Sequence, residues 1–292
     1  MKNKYLISGS EGYIGSSLRE FLKLKKNRVL TIGKGNSVDL KFNFGKRNKE
    51  IKLPIKNKYF DYFIHLELRN EVAFRVKPNI SNIENLNSIL NAIEITKKYN
   101  IKKLIYFSTY HVYKKDLNII NEYSNVEPKD LYSNSHLFSE NLIKNMLEQN
   151  QYVILRVPNI YGLNQVINFK RNTLLPFSLC NQIINEKKIV LTSNGNQVKN
   201  FISIESILHF INQNKFPNNL INLAGKDNLT IFQYAKKIKN YYEKITLNKA
   251  QIYCNKKDKK EFKKNKFESF YFKSKYDNIN KFILSYLTDL HK

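Results

Sequence analysis

The stretch Tyr5–Gly15, which reads YLISGSEGYIG, decides the fold of this chain. A short apolar run leads into Gly9, Gly12 and Gly15, which are spaced three residues apart. Apolar residues recur at helical spacing after Gly15, so the pattern predicts a strand, a glycine turn and a helix. Glycine permits positive φ and a close ligand, and the N-terminus of a helix attracts anions. The stretch therefore predicts a turn that binds the pyrophosphate of a dinucleotide, with a plain structural turn as the alternative.

Strands and helices alternate downstream of this turn. Apolar runs predict strands at residues 28–32, 62–66, 104–108, 152–157, 189–192 and 220–223, with a short strand ending at 38–40. Helical periodicity predicts helices at residues 82–98, 132–142, 174–185 and 231–242. The alternation predicts an α/β fold with a doubly wound, Rossmann-like parallel sheet. In such a sheet the ligand lies beyond the carboxyl ends of the strands.

The same pattern divides the chain into two parts. Residues 1–163, with 200–223 returning to the sheet, are expected to form a dinucleotide-binding domain. Residues 164–199 and 224–292 are expected to form a smaller substrate-binding lobe, because the regular pattern loosens after residue 160. We expect this lobe to determine substrate specificity.

The composition is that of a globular protein. The chain has 292 residues, of which 42% are hydrophobic and 13% aromatic, enough to bury a large core. Cys180 and Cys254 form neither a disulfide framework nor a metal-ligand pattern, which favours a reducing compartment. We expect no metal, no signal peptide, no membrane span and a cytoplasmic location.

The net charge of +26 raises the question of nucleic-acid binding. The lysines are spread along the whole chain, which favours a lysine-rich solvated surface over a nucleic-acid site. The densest cluster, NKKDKKEFKKNK, spans residues 255–266. Nucleic acid therefore stays the less favoured partner.

The end of the second predicted strand bears on the choice between NAD and NADP. An acidic residue there holds the ribose 2′-hydroxyl, whereas a cation accommodates a 2′-phosphate. This chain has Gly33 and Lys34 and no carboxylate at that point, which predicts NADP over NAD. The alternative is that Lys34 is one of many surface lysines. Asp39 is a candidate acceptor for the adenine amino group, or a cap for the next turn.

These residues resemble the extended short-chain dehydrogenase/reductase family of NAD(P)-dependent nucleotide-sugar epimerases, dehydratases and keto-reductases. The resemblance extends to about residue 238 and follows the motif order of the family. It is carried by six segments, which are 9–15 (GSEGYIG), 65–66 (HL), 107–113 (FSTYHVY), Tyr132 with His136, 155–162 (LRVPNIYG) and 195–202 (GNQVKNFI).

The resemblance implies a role for each of these segments. The expected catalytic residues are Thr109, Tyr132 and His136. The expected cofactor-binding residues, with the two candidates from the second strand and its loop, are Gly9, Gly12, Tyr13, Ile14, Gly15, Lys34, Asp39, Leu66 and Pro158. The expected substrate-binding residues are Tyr110, His111, Asn159 and Lys199.

The proton relay departs from the family at one position. Hydride transfer at a carbinol carbon needs a proton acceptor, and a tyrosine serves only if its phenolate is stabilised. The family places a lysine four residues after the tyrosine, whereas this chain has His136. An imidazole is charged only part of the time near pH 7, so we expect His136 to support the phenolate of Tyr132 less than a lysine does. Activity should then depend on two linked titrations, and it should be slow, shifted in pH or lost.

A second departure concerns dehydration. The family's sugar 4,6-dehydratases carry Asp-Glu where this chain has Tyr110 and His111. Without these carboxylates the resemblance disfavours water elimination. His111 is either a replacement acid–base group or a packed, hydrogen-bonded histidine.

The sequence therefore predicts an NAD(P)-dependent nucleotide-sugar 4-epimerase or 4-keto-reductase, of the kind used in polysaccharide biosynthesis and acting as a homodimer. The alternative is a weakened or inactive member of the family that binds a cofactor or RNA. That alternative is supported by His136 and by the basic charge.

Overall fold

A computed structural model describes residues 2–47, 50–54, 59–163, 173–255 and 265–291 of the chain. Its strands are β1 Lys4–Ser8, β2 Arg28–Gly33, β3 Leu40–Lys41, β4 Tyr62–His65, β5 Lys103–Thr109, β6 Ile119–Ile120, β7 Tyr152–Val157, β8 Asn159–Tyr161, β9 Lys188–Leu191, β10 Val198–Ser203, β11 Leu220–Asn222, β12 Asp227–Thr230, β13 Gln251–Cys254 and β14 Lys266–Phe267. Its helices are α1 Tyr13–Leu24, α2 Glu71–Val76, α3 Pro78–Lys98, α4 Leu131–Met146, α5 Leu175–Glu186, α6 Ile204–Gln213, α7 Ile231–Thr246 and α8 Ile279–His291.

A seven-stranded sheet dominates the fold. Its strand order is β11-β7-β5-β4-β1-β2-β3, and each neighbouring pair is parallel. The chain runs outward from β1 to β3 and then returns to β4 on the other side of β1. This reversal is a topological switch point, where doubly wound sheets bind their ligands. The predicted α/β fold with a parallel sheet is confirmed.

Helices cover both faces of the large sheet. On one face Ile7 and Leu155 pack in a core with residues of α1, α5, α6, α7 and α8. On the other face Leu6 and Ile154 pack with residues of α3 and α4. Successive strand residues point to opposite faces, so a strand covered on both sides reads as an unbroken apolar run. This is why β5 and β7 could be predicted from their sequences.

The structure differs from the prediction around the third strand and the long helix. The strand expected to end at 38–40 instead begins at Leu40 and is only two residues long. The helix expected from residue 82 begins at Pro78, and the separate helix α2 precedes it. Proline is favoured in the first turn of a helix, where its missing N–H has no partner to lose.

Three smaller sheets accompany the large one, with orders β12-β10-β8, β13-β9 and β14-β6. The sequence did not predict β8, β12, β13 or β14, because these strands are short and only partly apolar. The expected start of the substrate lobe at 164 lies outside the described residues. The same holds for 256–264, most of the basic cluster.

Over the described ranges, none of the helices combines the length and the apolarity that a bilayer crossing requires. In the same part of the chain, no three side chains of histidine, cysteine, aspartate or glutamate cluster closely enough to hold a metal ion.

Candidate active site

The glycine loop lies between β1 and α1, at the switch point of the large sheet. Gly9 has a φ of +66°, and a Cβ atom at Gly15 would overlap the carbonyl oxygen of Gly9. Gly12 begins α1 without a side-chain cap, so no cap satisfies the first amide groups of the helix. The buried hydroxyl of Ser10 has no hydrogen-bond partner among the described residues. A helix start without a side-chain cap and an unpartnered hydroxyl fit an anion, so the loop suits the pyrophosphate of a dinucleotide.

The other residues predicted to bind the cofactor differ in their burial and in their hydrogen-bond partners. Leu66 lies against the loop, because a Cβ atom at Gly9 would come within 2.8 Å of its carbonyl oxygen. The buried Tyr13 donates a 2.7 Å hydrogen bond to the carbonyl of Gly162. Asp39 accepts hydrogen bonds from the amide and the hydroxyl of Thr31, so its carboxylate holds the loop after β2 against that strand. Ile14 is half-buried, Pro158 is buried directly after β7, and Lys34 is exposed.

Two glutamates, Glu67 and Glu11, lie in the crevice beside the glycine loop, and the sequence pattern did not point to either of them. A Cβ atom at Gly33 would lie 2.8 Å from a carboxylate oxygen of Glu67. The amide of Gly9 faces this carboxylate as a donor. Glu11 crosses from the glycine loop and accepts a 2.8 Å hydrogen bond from the amide of Ser37. The available signal for Glu67 was its position directly after His65-Leu66, where the family usually has alanine.

The residues predicted for catalysis meet at the carboxyl end of β5. Thr109 ends this strand, and its hydroxyl accepts a 3.2 Å hydrogen bond from the amide of His111. Tyr132 lies in the first turn of α4. Its ring is 4.7 Å from the ring of His136 and 6.5 Å from that of His111. The structure therefore groups Tyr132 with both histidines, beside the end of the strand that carries Thr109.

His136 is buried and bonds to a residue of β5 rather than facing solvent. Its Nδ1 lies 2.8 Å from the hydroxyl of Tyr106. Burial lowers the pKa of His136 to about 4, although Glu140 and Asp130 favour the charged form. The imidazole is therefore neutral near pH 7, so even the partial positive charge expected beside Tyr132 is absent. The physical reason is desolvation, which the spacing of the two residues on a helix does not reveal.

A buried ion pair fixes α4 against the sheet. Arg156 of β7 donates to both carboxylate oxygens of Glu140, at 3.0 and 2.6 Å, and Ser108 adds a 2.6 Å hydrogen bond. Burial disfavours the charge of Arg156, but the hydrogen bonds to Glu140 outweigh it and hold the pKa above its ordinary value. Because Ser108 precedes Thr109 and Glu140 follows His136 by one turn, the pair sets the distance between the two catalytic segments.

A cavity of about 670 Å³ opens beside this site. It brings together three of the predicted substrate residues, Tyr110, His111 and Lys199, and Lys199 donates a 3.0 Å hydrogen bond to the Tyr110 hydroxyl. Asn159 is not among the lining residues, since its amide donates to the Asn200 carbonyl. The lysines that line the cavity are Lys114, Lys115, Lys129 and Lys199. Glu127 pairs with two of them, Lys114 and Lys129, which leaves an excess of positive charge around the cavity.

His111 is a poor acid–base group in this position. Burial, together with the nearby charges of Lys199 and Lys115, lowers its pKa to about 3. Its ring packs 4.2 Å from that of Tyr110. Of the two alternatives for His111, the packed histidine agrees better with these surroundings.

Besides His111, two fully buried neutral histidines are expected to make the protein sensitive to acid. Burial lowers the pKa of His65, held between the hydroxyls of Ser8 and Ser88, to about 3, and that of His136 to about 4. Both gain protons near pH 6.5 in the unfolded chain, so their stability contribution is complete above that pH. It is lost as the pH falls toward 4, by about 1.4 kcal/mol per pH unit for each histidine.

Urea unfolding between pH 7.5 and 4.5 measures this loss. In the variant His65→Gln the unfolding free energy should depend less steeply on pH, because one fewer proton is taken up on unfolding. A wild-type unfolding free energy that does not change over this range would contradict the buried, neutral state of both rings.

Comparison with known proteins identifies the family. The model of the NAD dependent epimerase/dehydratase family matches residues 5–214, most of the chain. The chain belongs to this family, which confirms the predicted class of NAD-dependent enzyme and the nucleotide-sugar epimerase and dehydratase resemblance.

Individual relatives are more distant. A dTDP-D-glucose 4,6-dehydratase from Dictyostelium discoideum is 28% identical over 274 residues, and the match covers 81% of this chain but only 62% of that protein. The chain therefore spans less than two thirds of the length of this relative.

Two solved structures have the same fold. A UDP-N-acetylglucosamine 4-epimerase from Methanobrevibacter ruminantium M1, in complex with UDP-N-acetylmuramic acid, has a TM-score of 0.76 at 23% identity, covering 100% of this chain and 99% of its own. A UDP-glucuronic acid 4-epimerase from Bacillus cereus, in complex with UDP-glucuronic acid and NAD, has a TM-score of 0.73 at 20% identity, covering 98% and 99%. At these identities the likeness extends to the fold alone.

Proposed function

We propose that the protein transfers a hydride at C4 of a nucleotide sugar, as a 4-epimerase or a 4-keto-reductase. The observation that carries the proposal is the position of His111, which lines the lysine-rich cavity, packs its ring 6.5 Å from that of Tyr132 and donates its amide to the Thr109 hydroxyl. The cavity has the volume of a small-molecule site. Both solved relatives described above are 4-epimerases in complex with UDP-sugars, which supports the same substrate class here.

Each catalytic residue has a distinct part in this proposal. NAD(P) bound at the glycine loop would accept the hydride and return it. Tyr132 takes the hydroxyl proton of the substrate, and Thr109 shares the hydrogen bond to the same oxygen. His136 carries no charge, so it orients groups through hydrogen bonding and ring packing rather than by stabilising a phenolate electrostatically.

The lysines are proposed to bind the diphosphate of the substrate. Lys199 lines the cavity together with Lys115, and both lie close enough to His111 to shift its pKa. Ammonium groups at several points of a cavity favour a polyanion such as a nucleoside diphosphate. Asn159 is proposed to make only a minor contact with the substrate, because its side-chain amide already donates to the backbone of β10.

Water elimination is not part of the proposal, although one relative is a 4,6-dehydratase. Elimination needs an acid and a base close to the sugar carbons, and Tyr110 and His111 stand where that subgroup has carboxylates. With a pKa of about 3, His111 is neutral near pH 7 and holds no proton to donate as an imidazolium.

Several finer expectations stay predictions. They are the preference for NADP based on Lys34, the division into a dinucleotide-binding part and a substrate lobe, the homodimer, the cytoplasmic location and the absence of a nucleic-acid partner. A catalytically weakened cofactor-binding protein is the second candidate function, and it is favoured by the neutral state of His136.

Gly12→Val is expected to abolish dinucleotide binding. A Cβ atom at Gly12 would lie 3.2 Å from the carbonyl oxygen of Gly9, a tight contact that the loop can absorb. The rest of the valine side chain would occupy the space of the pyrophosphate. Calorimetry with NAD+ and NADP+ measures the loss, which we expect to exceed a hundredfold in affinity.

A matched glycine variant separates lost binding from lost folding. Gly45→Ala should bind normally, since a Cβ atom there meets only side-chain atoms, at 3.4 Å or more. Thermal unfolding of both variants checks their folding. A wild-type protein that binds neither dinucleotide at millimolar concentration would refute the proposed function.

A further inference from the structure

Glu67 lies where three parts of the cofactor crevice meet. It follows β4 by two residues, and β4 and β2 are the two neighbours of β1 in the sheet. Its carboxylate passes the end of β1, where the amide of Gly9 faces it, and reaches Gly33 at the end of β2. The side chain therefore spans the switch point from one side of β1 to the other.

Gly33 makes room for this carboxylate. A Cβ atom there would lie 2.8 Å from the nearest carboxylate oxygen of Glu67, closer than real Cβ atoms approach. In dinucleotide folds the end of β2 is the position of the acidic residue that binds the ribose hydroxyls of adenosine. Here β2 ends in a glycine, and a carboxylate from a different strand occupies the space beside it.

We propose that Glu67 binds the ribose hydroxyls of the adenosine half of the cofactor, and that it makes the protein select NAD over NADP. This inference rests on the proposed function, since it requires a dinucleotide at the glycine loop. An ionised carboxylate accepts hydrogen bonds from a ribose diol and repels a 2′-phosphate. The inference opposes the NADP preference expected from Lys34.

The charges around Glu67 agree with a site for a neutral diol. Lys34 and Arg69 favour the ionised form of Glu67, and Glu11 opposes it. Arg69 is held by the carboxylate of Glu84, which accepts from it at 2.9 Å and through a second, shorter contact, so its charge is largely compensated. A 2′-phosphate would therefore meet Glu67 and Glu11, with two exposed lysines nearby, Lys34 and Lys41, the second of which donates to the carbonyl of Gly35 in the same loop.

Protonation of Glu67 should make the selection depend on pH. Burial raises the pKa of Glu67 to about 7, despite the opposing effect of Lys34. Below pH 7 the neutral carboxyl repels a phosphate less, whereas above pH 7 the repulsion is complete. NADP+ affinity should thus fall as the pH rises from 6 to 8, and NADP+ binding near pH 7 should be accompanied by proton uptake at Glu67.

Calorimetry with NAD+ and NADP+ tests the inference without any turnover. At pH 8 we expect the wild type to bind NAD+ at least about tenfold more tightly than NADP+, a difference of about 1.4 kcal/mol. The isosteric variant Glu67→Gln should bind NADP+ about tenfold more tightly than the wild type does. It should also lose the part of the pH dependence and of the proton uptake that Glu67 supplies, measured in buffers of different ionisation enthalpy.

Two control variants isolate the role of Glu67. Glu71→Gln removes an exposed carboxylate of α2 that pairs with Arg75, and it should leave both affinities unchanged. Lys34→Ala should weaken NADP+ binding, and should do so more in Glu67→Gln than in the wild type, because the competing repulsion is then absent.

Two results would overturn the inference while leaving the proposed function intact. They are tighter binding of NADP+ by the wild type and an affinity ratio that is unchanged in Glu67→Gln. If the ratio stayed unchanged because both dinucleotides gained affinity equally, Glu67 would obstruct the crevice rather than select between ligands. Binding of neither dinucleotide by any folded variant would refute the proposed function, and the inference with it.

Discussion

Tyr132→Phe is expected to lower the rate of hydride transfer by at least about a hundredfold, the contribution typical of a positioned acid–base group. The variant removes only the phenolic hydroxyl group, so affinities for the dinucleotide and the nucleotide sugar should stay within about twofold of the wild type. The phenyl ring preserves the packing against His136 and Phe74. Single-turnover kinetics, started with the dinucleotide either fully oxidised or fully reduced, measures the rate of the chemical step directly.

A tyrosine outside the site provides the control for this prediction. Tyr253→Phe alters an exposed ring of β13 and should leave the rate unchanged. Unaltered turnover in Tyr132→Phe would mean that the proton relay lies elsewhere. If the wild type showed no turnover and His136→Lys did, the result would instead identify the second candidate function, a protein that binds the cofactor but has lost catalytic activity.

Glu140→Ala is expected to destabilise the fold by about 3–5 kcal/mol, because it leaves the buried charge of Arg156 without a partner. Arg156 and Glu140 are almost completely buried, and a second contact of the guanidinium is the ring of Tyr113, 4.5 Å away. The loss should appear as a lower urea midpoint with an unchanged slope. Since the pair holds α4 against β5 and β7, the surviving folded protein should also turn over more slowly.

Replacing both charged side chains by apolar ones separates the effect of an unpaired buried charge from the effect of lost packing volume. The double variant Glu140→Leu/Arg156→Met should recover most of the lost stability, because it leaves no unpaired buried charge. Glu71→Ala, which breaks the exposed pair with Arg75, should cost less than about 1 kcal/mol. If Glu140→Ala proved as mild as Glu71→Ala, the buried pair would not be the anchor of α4.

Local sequence patterns were sufficient for the large sheet and for the placement of Tyr132 beside His136. The spacing of Gly9, Gly12 and Gly15 after an apolar run located the turn, and unbroken apolar runs located the buried strands. The four-residue spacing of Tyr132 and His136 placed both on one helix face, and the structure packs their rings together. These features depend on neighbours along the chain, which a sequence displays.

The features that were missed depend on contacts between distant segments. Glu67 was overlooked because its position beside Gly33 follows from the order of β4, β1 and β2 in the sheet. The charge of His136 was misjudged because its burial against Tyr106 of β5 is not visible in the helix pattern. Burial and strand order together therefore decide the electrostatics of this site, and neither can be deduced from the spacing of motifs.

The most direct test of the central claim is to incubate the purified protein with NAD+ or NADP+ and a panel of UDP- and dTDP-sugars. Chromatography with mass spectrometry then identifies the product of each sugar. We expect conversion of at least one sugar to its C4 epimer, or interconversion with its 4-keto form, and loss of this conversion in Tyr132→Phe. A product that has lost water, or a conversion that persists in Tyr132→Phe, would contradict the proposed hydride transfer at C4.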